Sequence, residues 1–292
     1  MIVRNPKPEE KNEILNILDG CFGKTPRAYF EHYVEDGFPE SAFVVLEGSE
    51  ILGYLQVYTR LVRSTAKKPL KMGGIGNVCT VRKARGRGIA SSLLQHAYSW
   101  MESNGYDLSV LFASRHGFYT KNGWKLVPVY LYEFDVKGKN RSKEYESPWK
   151  IMDEIMEVSA SFNSDYALTV IRDERIWRFQ LDYYNKIGSI FRAIRTERLN
   201  YAIFKKVGKG RYILSDFAGD VSVISELLPE DIEKLIFFSK PYHELTEFLR
   251  DSFPHSEREH LLIYIRGVGI SNRELDDLIF TRKWHFWEFD MF

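Results

Sequence analysis

The stretch Val78-Cys79-Thr80-Val81-Arg82-Lys83-Ala84-Arg85-Gly86-Arg87-Gly88-Ile89-Ala90 decides how this chain reads. It runs from a strand through a tight turn into the start of a helix. The first turn of a helix leaves backbone N–H groups unpaired and carries partial positive charge. Small residues there let an anion approach without meeting a Cβ. Arg85 and Arg87 add guanidinium donors suited to phosphate oxygens. The segment therefore predicts a cradle for a pyrophosphate.

Three kinds of ligand could use such a cradle. A P-loop needs Lys-Ser/Thr after its glycines, and Gly88 is followed by Ile89. A dinucleotide fold needs G-x-G-x-x-G after its first strand; here Ser91 stands in the place of the third glycine. The loop also follows three antiparallel strands instead of opening a βαβ unit. The third kind, coenzyme A, fits better through the family resemblance set out below.

Outward from the loop, the elements alternate. A short opening strand precedes a helical stretch over Pro8–Leu18 and a second near Arg27–Val34. Ser41–Glu47, Tyr54–Val62 and Met72–Val81 read as strands joined by short turns, an antiparallel meander. From Gly88 to about Glu102, Ile89, Leu93, Ala97 and Trp100/Met101 recur at helical spacing, and Asn104-Gly105 supplies a stop. Leu108–Ala113 has the unbroken apolar character of a strand buried on both faces. A brief helix near Arg115–Lys121 leads through Asn122-Gly123 to a strand over Trp124–Asp135.

Residues 137–148, which carry Lys-Gly-Lys-Asn-Arg-Ser-Lys and little that is apolar, read as a linker. Beyond it the order repeats: helices near Trp149–Ala160 and Glu174–Tyr184, then strands Ser189–Thr196, Tyr201–Val207 and Tyr212–Phe217. A helix near Glu230–Ser239, another at Tyr242–Arg250, a strand Leu261–Ile265, a helix Arg273–Phe280 and a closing strand Trp284–Met291 complete the reading. Tyr119-Thr-Lys…Trp124…Glu133-Phe-Asp135 is echoed by Phe280-Thr-Arg…Trp284…Glu288-Phe-Asp290. The fold class is α/β of the α+β kind, with residues 1–136 one unit and 149–292 a second of similar plan.

Composition narrows the function. Of 292 residues, 44% are apolar, enough for ordinary cores, and 41 Lys+Arg nearly balance 40 Asp+Glu. A net charge of +1 argues against nucleic acid as the main partner. The longest apolar runs, Ala42–Leu46 and Leu261–Ile265, fall far short of the about 20 residues of a membrane span. Two cysteines, Cys21 and Cys79, cannot make a disulfide framework or a zinc cage, so no metal is expected and a reducing cytoplasm is the default.

Arg85-Gly-Arg-Gly88-Ile-Ala90 resembles the Gln/Arg-x-x-Gly-x-Gly/Ala signature of the GNAT acyltransferase superfamily. Phe118-Tyr119-Thr-Lys-Asn-Gly123-Trp124 is similar to that family's tyrosine and Gly-aromatic turn. The likeness covers residues 1–135 by motif and the remainder by element order. It implies a GNAT fold, a central mixed and mostly antiparallel sheet flanked by helices, followed by a second GNAT-like unit. It further implies acetyl-CoA as donor, its pantetheine arm along Val78, Cys79, Thr80 and Val81, and its pyrophosphate on Arg85, Gly86, Arg87, Gly88, Ile89 and Ala90. An amine acceptor, on a small molecule or a protein, attacks the thioester directly.

In that frame Tyr119 is the candidate general acid, against the alternative of an aromatic packed in the core. The base is open. The strand Met72–Val81 holds no carboxylate, which leaves His116, the α-carboxylate of Phe292, or water. The chain resembles the enhanced-intracellular-survival (Eis) acetyltransferases, which join two GNAT units and use a C-terminal carboxylate, but without room for their third domain. The second unit holds Phe217-Ala-Gly-Asp-Val221 where a phosphate loop would be, and reads as non-catalytic. Cys79 reads as a small core residue. The competing function is an acyl-CoA-binding sensor or scaffold that kept the cradle and lost turnover; oligomeric state stays open.

Overall fold

The computed structural model describes residues 1–23, 27–35, 37–66, 68–114, 116–137, 146–281 and 283–291. Where the sequence alternates, the meander forms. Strands β1 (Ile2–Arg4), β2 (Ala42–Glu47), β3 (Glu50–Val62) and β4 (Leu70–Thr80) pair in chain order, each antiparallel to the next. The chain then crosses over through α3 (Ile89–Ser103) to β5 (Leu108–Phe112), which lies parallel to β4. A parallel neighbour requires such a crossover.

The helical spacing read from the sequence places Ile89, Leu93, Ala97 and Met101 on one buried face of α3, packed on Phe43, Leu55 and Ile75 of the sheet. The approach is close: a Cβ added at Gly73 of β4 would run into Met101 Sδ. On the opposite face lie α1 (Lys11–Phe22) and α2 (Arg27–Tyr33), whose Ile14, Leu15, Leu18 and Phe30 pack against Val44, Ile51 and Tyr54. The sheet is thus covered on both sides in this half.

The remaining elements are α4 (His116–Lys121), β6 (Lys125–Asp135), α5 (Met152–Phe162), α6 (Glu174–Lys186), β7 (Ile190–Arg195), β8 (Leu199–Gly208), β9 (Arg211–Ala218), α7 (Ile224–Leu227), β10 (Lys234–Ser239), α8 (Glu244–Ser252), β11 (His255–Gly267) and α9 (Asn272–Phe280). All strands join one 11-stranded sheet in the order β1-β2-β3-β4-β5-β11-β6-β10-β9-β8-β7. The halves exchange strands. β11 lies between β5 and β6, antiparallel to both, and β6 lies between β11 and β10. Ladders β4–β5 and β9–β10 are parallel and the other ladders are antiparallel.

Three sequence readings are corrected. The helix expected near Glu230–Ser239 is strand β10, between β9 and β6. Its core, Leu235–Phe238, is a short apolar run that periodicity alone does not assign. The closing strand expected at Trp284–Met291 is an isolated bridge, Ala167 to Trp284, followed by a 3-10 turn over Glu288–Asp290. Its rings are buried all the same, which is what made it read as a strand. The echo between Tyr119 and Phe280 does not join equivalent elements: α4 leads into β6, whereas Phe280 ends α9 and is 79% exposed. In the second half α8 holds the place of α4, between β10 and β11. The linker read over 137–148 falls largely outside the described residues.

Cys21, in the last turn of α1, forms a disulfide with Cys79 of β4, with Cα atoms 6.0 Å apart and 58 positions between them in sequence. Cys79 is therefore not a free core thiol, and this single link ties α1 to the end of β4 that leads into the glycine loop. Among the described residues no helix is long and apolar enough to cross a membrane.

Two stability measurements follow. Gly73→Val should lower the urea-unfolding free energy by about 1–3 kcal/mol, because the new methyls meet Met101; unchanged stability would place α3 further from β4. The Cys21→Ser/Cys79→Ser double variant should lose about 2–4 kcal/mol under non-reducing conditions, the usual effect of removing such a link. Equal stability would mean the cross-link does not form.

Candidate active site

The site begins with a fault in the sheet. Between β3 and β4 the register runs from Gln56 opposite Gly76 to Tyr54 opposite Cys79, so β4 carries one extra residue. Asn77 absorbs it at φ 58°, and its Nδ2 donates to Tyr58 Oη at 2.7 Å. A bulge of this kind bends and twists the strand that holds it. The β4–β5 ladder accordingly runs from Met72–Leu108 to Ile75–Leu111 and no further. Past that point β5 follows β11 instead, Ala113 N donating to Leu262 O at 3.0 Å. Gly76–Thr80 stays with β3, and the seam between β4 and β5 is open.

Below the seam, Val81 N donates to Leu52 O at 2.9 Å, and Arg82–Ala84 form a single 3-10 turn. Gly86 and Gly88 both take φ +80°, a conformation open to glycine at little cost. Gly88 caps α3 without any side-chain hydrogen bond. Among the described residues, no acceptor meets the N–H groups of Gly86, Gly88, Ile89, Ala90 and Ser91. The amides of Gly88 to Ser91 form the partial positive end of a 15-residue helix.

Seam and loop open into one cleft of about 1050 Å³. Of the residues singled out in the sequence, Val78, Thr80, Arg85, Gly86, Gly88, Ile89, Ala90 and Tyr119 line it. The rest are placed elsewhere. Cys79 is in the disulfide, and its partner Cys21 is the sulfur that reaches the cleft wall. Val81 packs against the α3 cluster. Arg87 donates to Glu47 at 2.6 Å, and this bond holds the Glu47 carboxyl below its usual range. Arg85, held lightly by Thr80 O at 3.4 Å, is the guanidinium on the cleft side.

Tyr119 is carried by α4, and its carbonyl accepts from the amides of Asn122 and Trp124, both at 3.1 Å. The tight turn at Gly123, φ +93°, is backed by Arg266 of β11, which donates to Asn122 O at 2.9 Å and stacks 3.6 Å over Tyr98. The exchanged strand thus supports the tyrosine turn. Tyr119 itself is half-buried, its ring 5.5 Å from Tyr264. His116 opens α4; its side chain, like Phe292, lies outside the described residues. Met291 lines the cleft.

The far wall holds residues that the sequence reading missed. Phe22 ends α1, Tyr29 sits on α2, Tyr183 and Tyr184 on α6, Lys205 on β8, and Glu288 in the C-terminal 3-10 turn. Glu288, only 10% exposed in its side chain, accepts from Lys205 Nζ and from Tyr184 Oη, each at 2.6 Å. Burial, and then the Glu288 charge, push the Tyr184 hydroxyl well up. Glu288 is placed by its neighbours: Trp287 donates to Asn163 Oδ1 at 2.8 Å, and buried Asp290 receives Arg172 at 2.7 Å, which also holds Asp216 at 2.7 Å. No local motif marks these residues, because they meet only when the two halves share a sheet. In the second half the place of the phosphate loop is taken by Asp220, whose carboxylate accepts from Ser222 N at 2.9 Å, and by a four-residue α7.

The description "Acetyltransferase (GNAT) domain" matches residues 2–127. Among solved structures, the chain is similar to a GCN5-related N-acetyltransferase from Kribbella flavida (TM-score 0.71, 12% identity), over 92% of this chain and 72% of that one. It is also similar to Eis1 from Mycobacterium abscessus (TM-score 0.66, 12% identity, 92% and 74%) and to a putative acetyltransferase from Pyrococcus horikoshii (TM-score 0.59, 16% identity, 92% and 91%). No curated protein matches the sequence. The open seam, the glycine-turn cradle and the tyrosine turn all fall in or beside the segment that matches the acetyltransferase (GNAT) domain, and the fold is the one shared with these solved structures.

Proposed function

We propose that this chain is an acetyl-CoA-dependent N-acyltransferase in which the amine attacks the donor directly within a ternary complex. The observation that carries the reading is the set of loop amides without acceptors, opening into the same cleft as the split between β4 and β5. The residues fit the donor. Amides of Gly86, Gly88, Ile89, Ala90 and Ser91 would hold a pyrophosphate, and Arg85 adds charge on the cleft side. The backbone of Val78 and Thr80, past the end of the β5 ladder, would hold the amide-bearing arm.

Bound acetyl-CoA supplies a thioester whose thiolate leaves as the amine adds. Backbone N–H groups of β4 polarise the carbonyl. Tyr119 Oη donates the proton to the leaving sulfur; with ordinary pKa values of about 10 for tyrosine and about 8.5 for a thiol, the transfer is slightly uphill and needs the site's help. The acceptor's proton goes to water, to His116 or to the carboxylate of Phe292, and Glu288 joins these candidates as the carboxylate that faces the cleft.

Residues 1–136 are proposed as the catalytic unit and 149–292 as a degenerate, non-catalytic GNAT-like unit in a tandem arrangement. Asp220 in place of a phosphate loop, and the short α7, support this division. The cytoplasm is the proposed compartment; the Cys21–Cys79 disulfide, of a kind rare in reducing compartments of mesophiles, weighs against it.

Calorimetry with acetyl-CoA and a thiol-release assay over a panel of amines test the proposal. Gly88→Glu should abolish acetyl-CoA binding: nothing of the protein lies within 4 Å of a Cβ there, so the effect falls on φ, on charge and on the ligand. Tyr119→Phe should leave acetyl-CoA affinity nearly unchanged and lower kcat by roughly 10²-fold or more, the usual effect of losing a general acid. Equal loss of binding in both variants would contradict these roles, and no binding of acetyl-CoA at millimolar concentration would overturn the function.

A further inference from the structure

The acceptor end of the cleft has its own character. Its wall is aromatic, and the rings form a continuous surface across the two halves. Phe22 stands 5.6 Å from Phe30, and Tyr29 of α2 meets Tyr183 of α6 edge to face at 5.4 Å. Phe22 is 46% exposed and lines the cleft. Among the described lining residues three carry charge. Arg85 sits at the phosphate end, while Lys205 and Glu288 form a pair with no net charge.

We infer that the acceptor is a primary amine carried on an apolar, ring-sized body with no second cationic group, an arylalkylamine in chemical class. The inference rests on the acetyltransferase reading and specifies its substrate. A polyamine or an aminosugar would bring several ammonium groups to a wall where, among the described residues, the one carboxylate, Glu288, is already matched by Lys205. Each further cation would be desolvated without a partner. One ammonium can be met, by the faces of Tyr29 and Tyr183 and by the remaining lone pairs of Glu288. The body of such a substrate would cover Phe22 and the α2–α6 ring surface, burying apolar area that now faces solvent.

The test uses the full chain with coenzyme A bound, so that binding is read without turnover. Calorimetric titration with 2-phenylethylamine, spermidine and an aminoglycoside should give phenylethylamine an affinity at least about tenfold above either polycation. Tyr183→Ala should weaken phenylethylamine about five- to tenfold and leave spermidine unchanged, with the affinity for coenzyme A intact. Equal or tighter binding of spermidine or the aminoglycoside, or no binding of phenylethylamine at millimolar concentration while coenzyme A binds, overturns the inference. A failure of coenzyme A itself to bind strikes the parent reading instead, so the two failures are separable.

Discussion

One extra residue in β4 opens the sheet at the cleft. With Asn77 held at φ 58°, β4 keeps its ladder to β3 and leaves β5 after Ile75. Backbone groups that a regular sheet would pair are thereby offered to a ligand, and unpaired groups of this kind are costly unless something meets them. The glycine turn repeats the arrangement at the start of α3, where five amides share one opening and the helix adds its partial positive charge. Strand fault and loop lie within one continuous run of sequence, so a single segment would, in the proposed function, aim the donor from its phosphates to its thioester.

The second half contributes without a cradle of its own. It lends β11 to the gap beside β5, and Arg266 from that strand backs the turn that carries Tyr119. It also places Tyr183, Tyr184, Lys205 and Glu288 opposite the donor channel. The buried Arg172, joined to Asp216 and Asp290, fixes the segment from which Glu288 projects. Removing one member of such a group leaves an uncompensated buried charge, typically a loss of about 3–5 kcal/mol. Both halves are therefore needed to complete the cleft, even though the open seam and the glycine loop come from one.

What could be read from the sequence was local. Arg85–Ala90 announce a helix start and an anion site by spacing alone, the α3 face follows from its period, and the meander from its alternation. The misread elements are those settled by distant partners. Lys234–Ser239 is a strand because β9 and β6 flank it, and the aromatic segment at Trp284–Met291 is buried in turns instead of a ladder. Cys21 and Cys79 stand 58 residues apart with nothing in their spacing to join them. Arg87 reads as a phosphate ligand from its place in the loop, and no spacing in the sequence announces its ion pair with Glu47. The Lys205–Glu288 pair spans 83 positions and carries no motif.

Amide hydrogen exchange, followed residue by residue with and without acetyl-CoA, reaches the central claim most directly. The account predicts fast exchange at Gly86, Gly88, Ile89, Ala90 and Ser91 in the free protein, and marked slowing at these positions and along Gly76–Thr80 when acetyl-CoA is present. Rates that stay the same at saturating ligand, or protection confined to other parts of the chain, would contradict it.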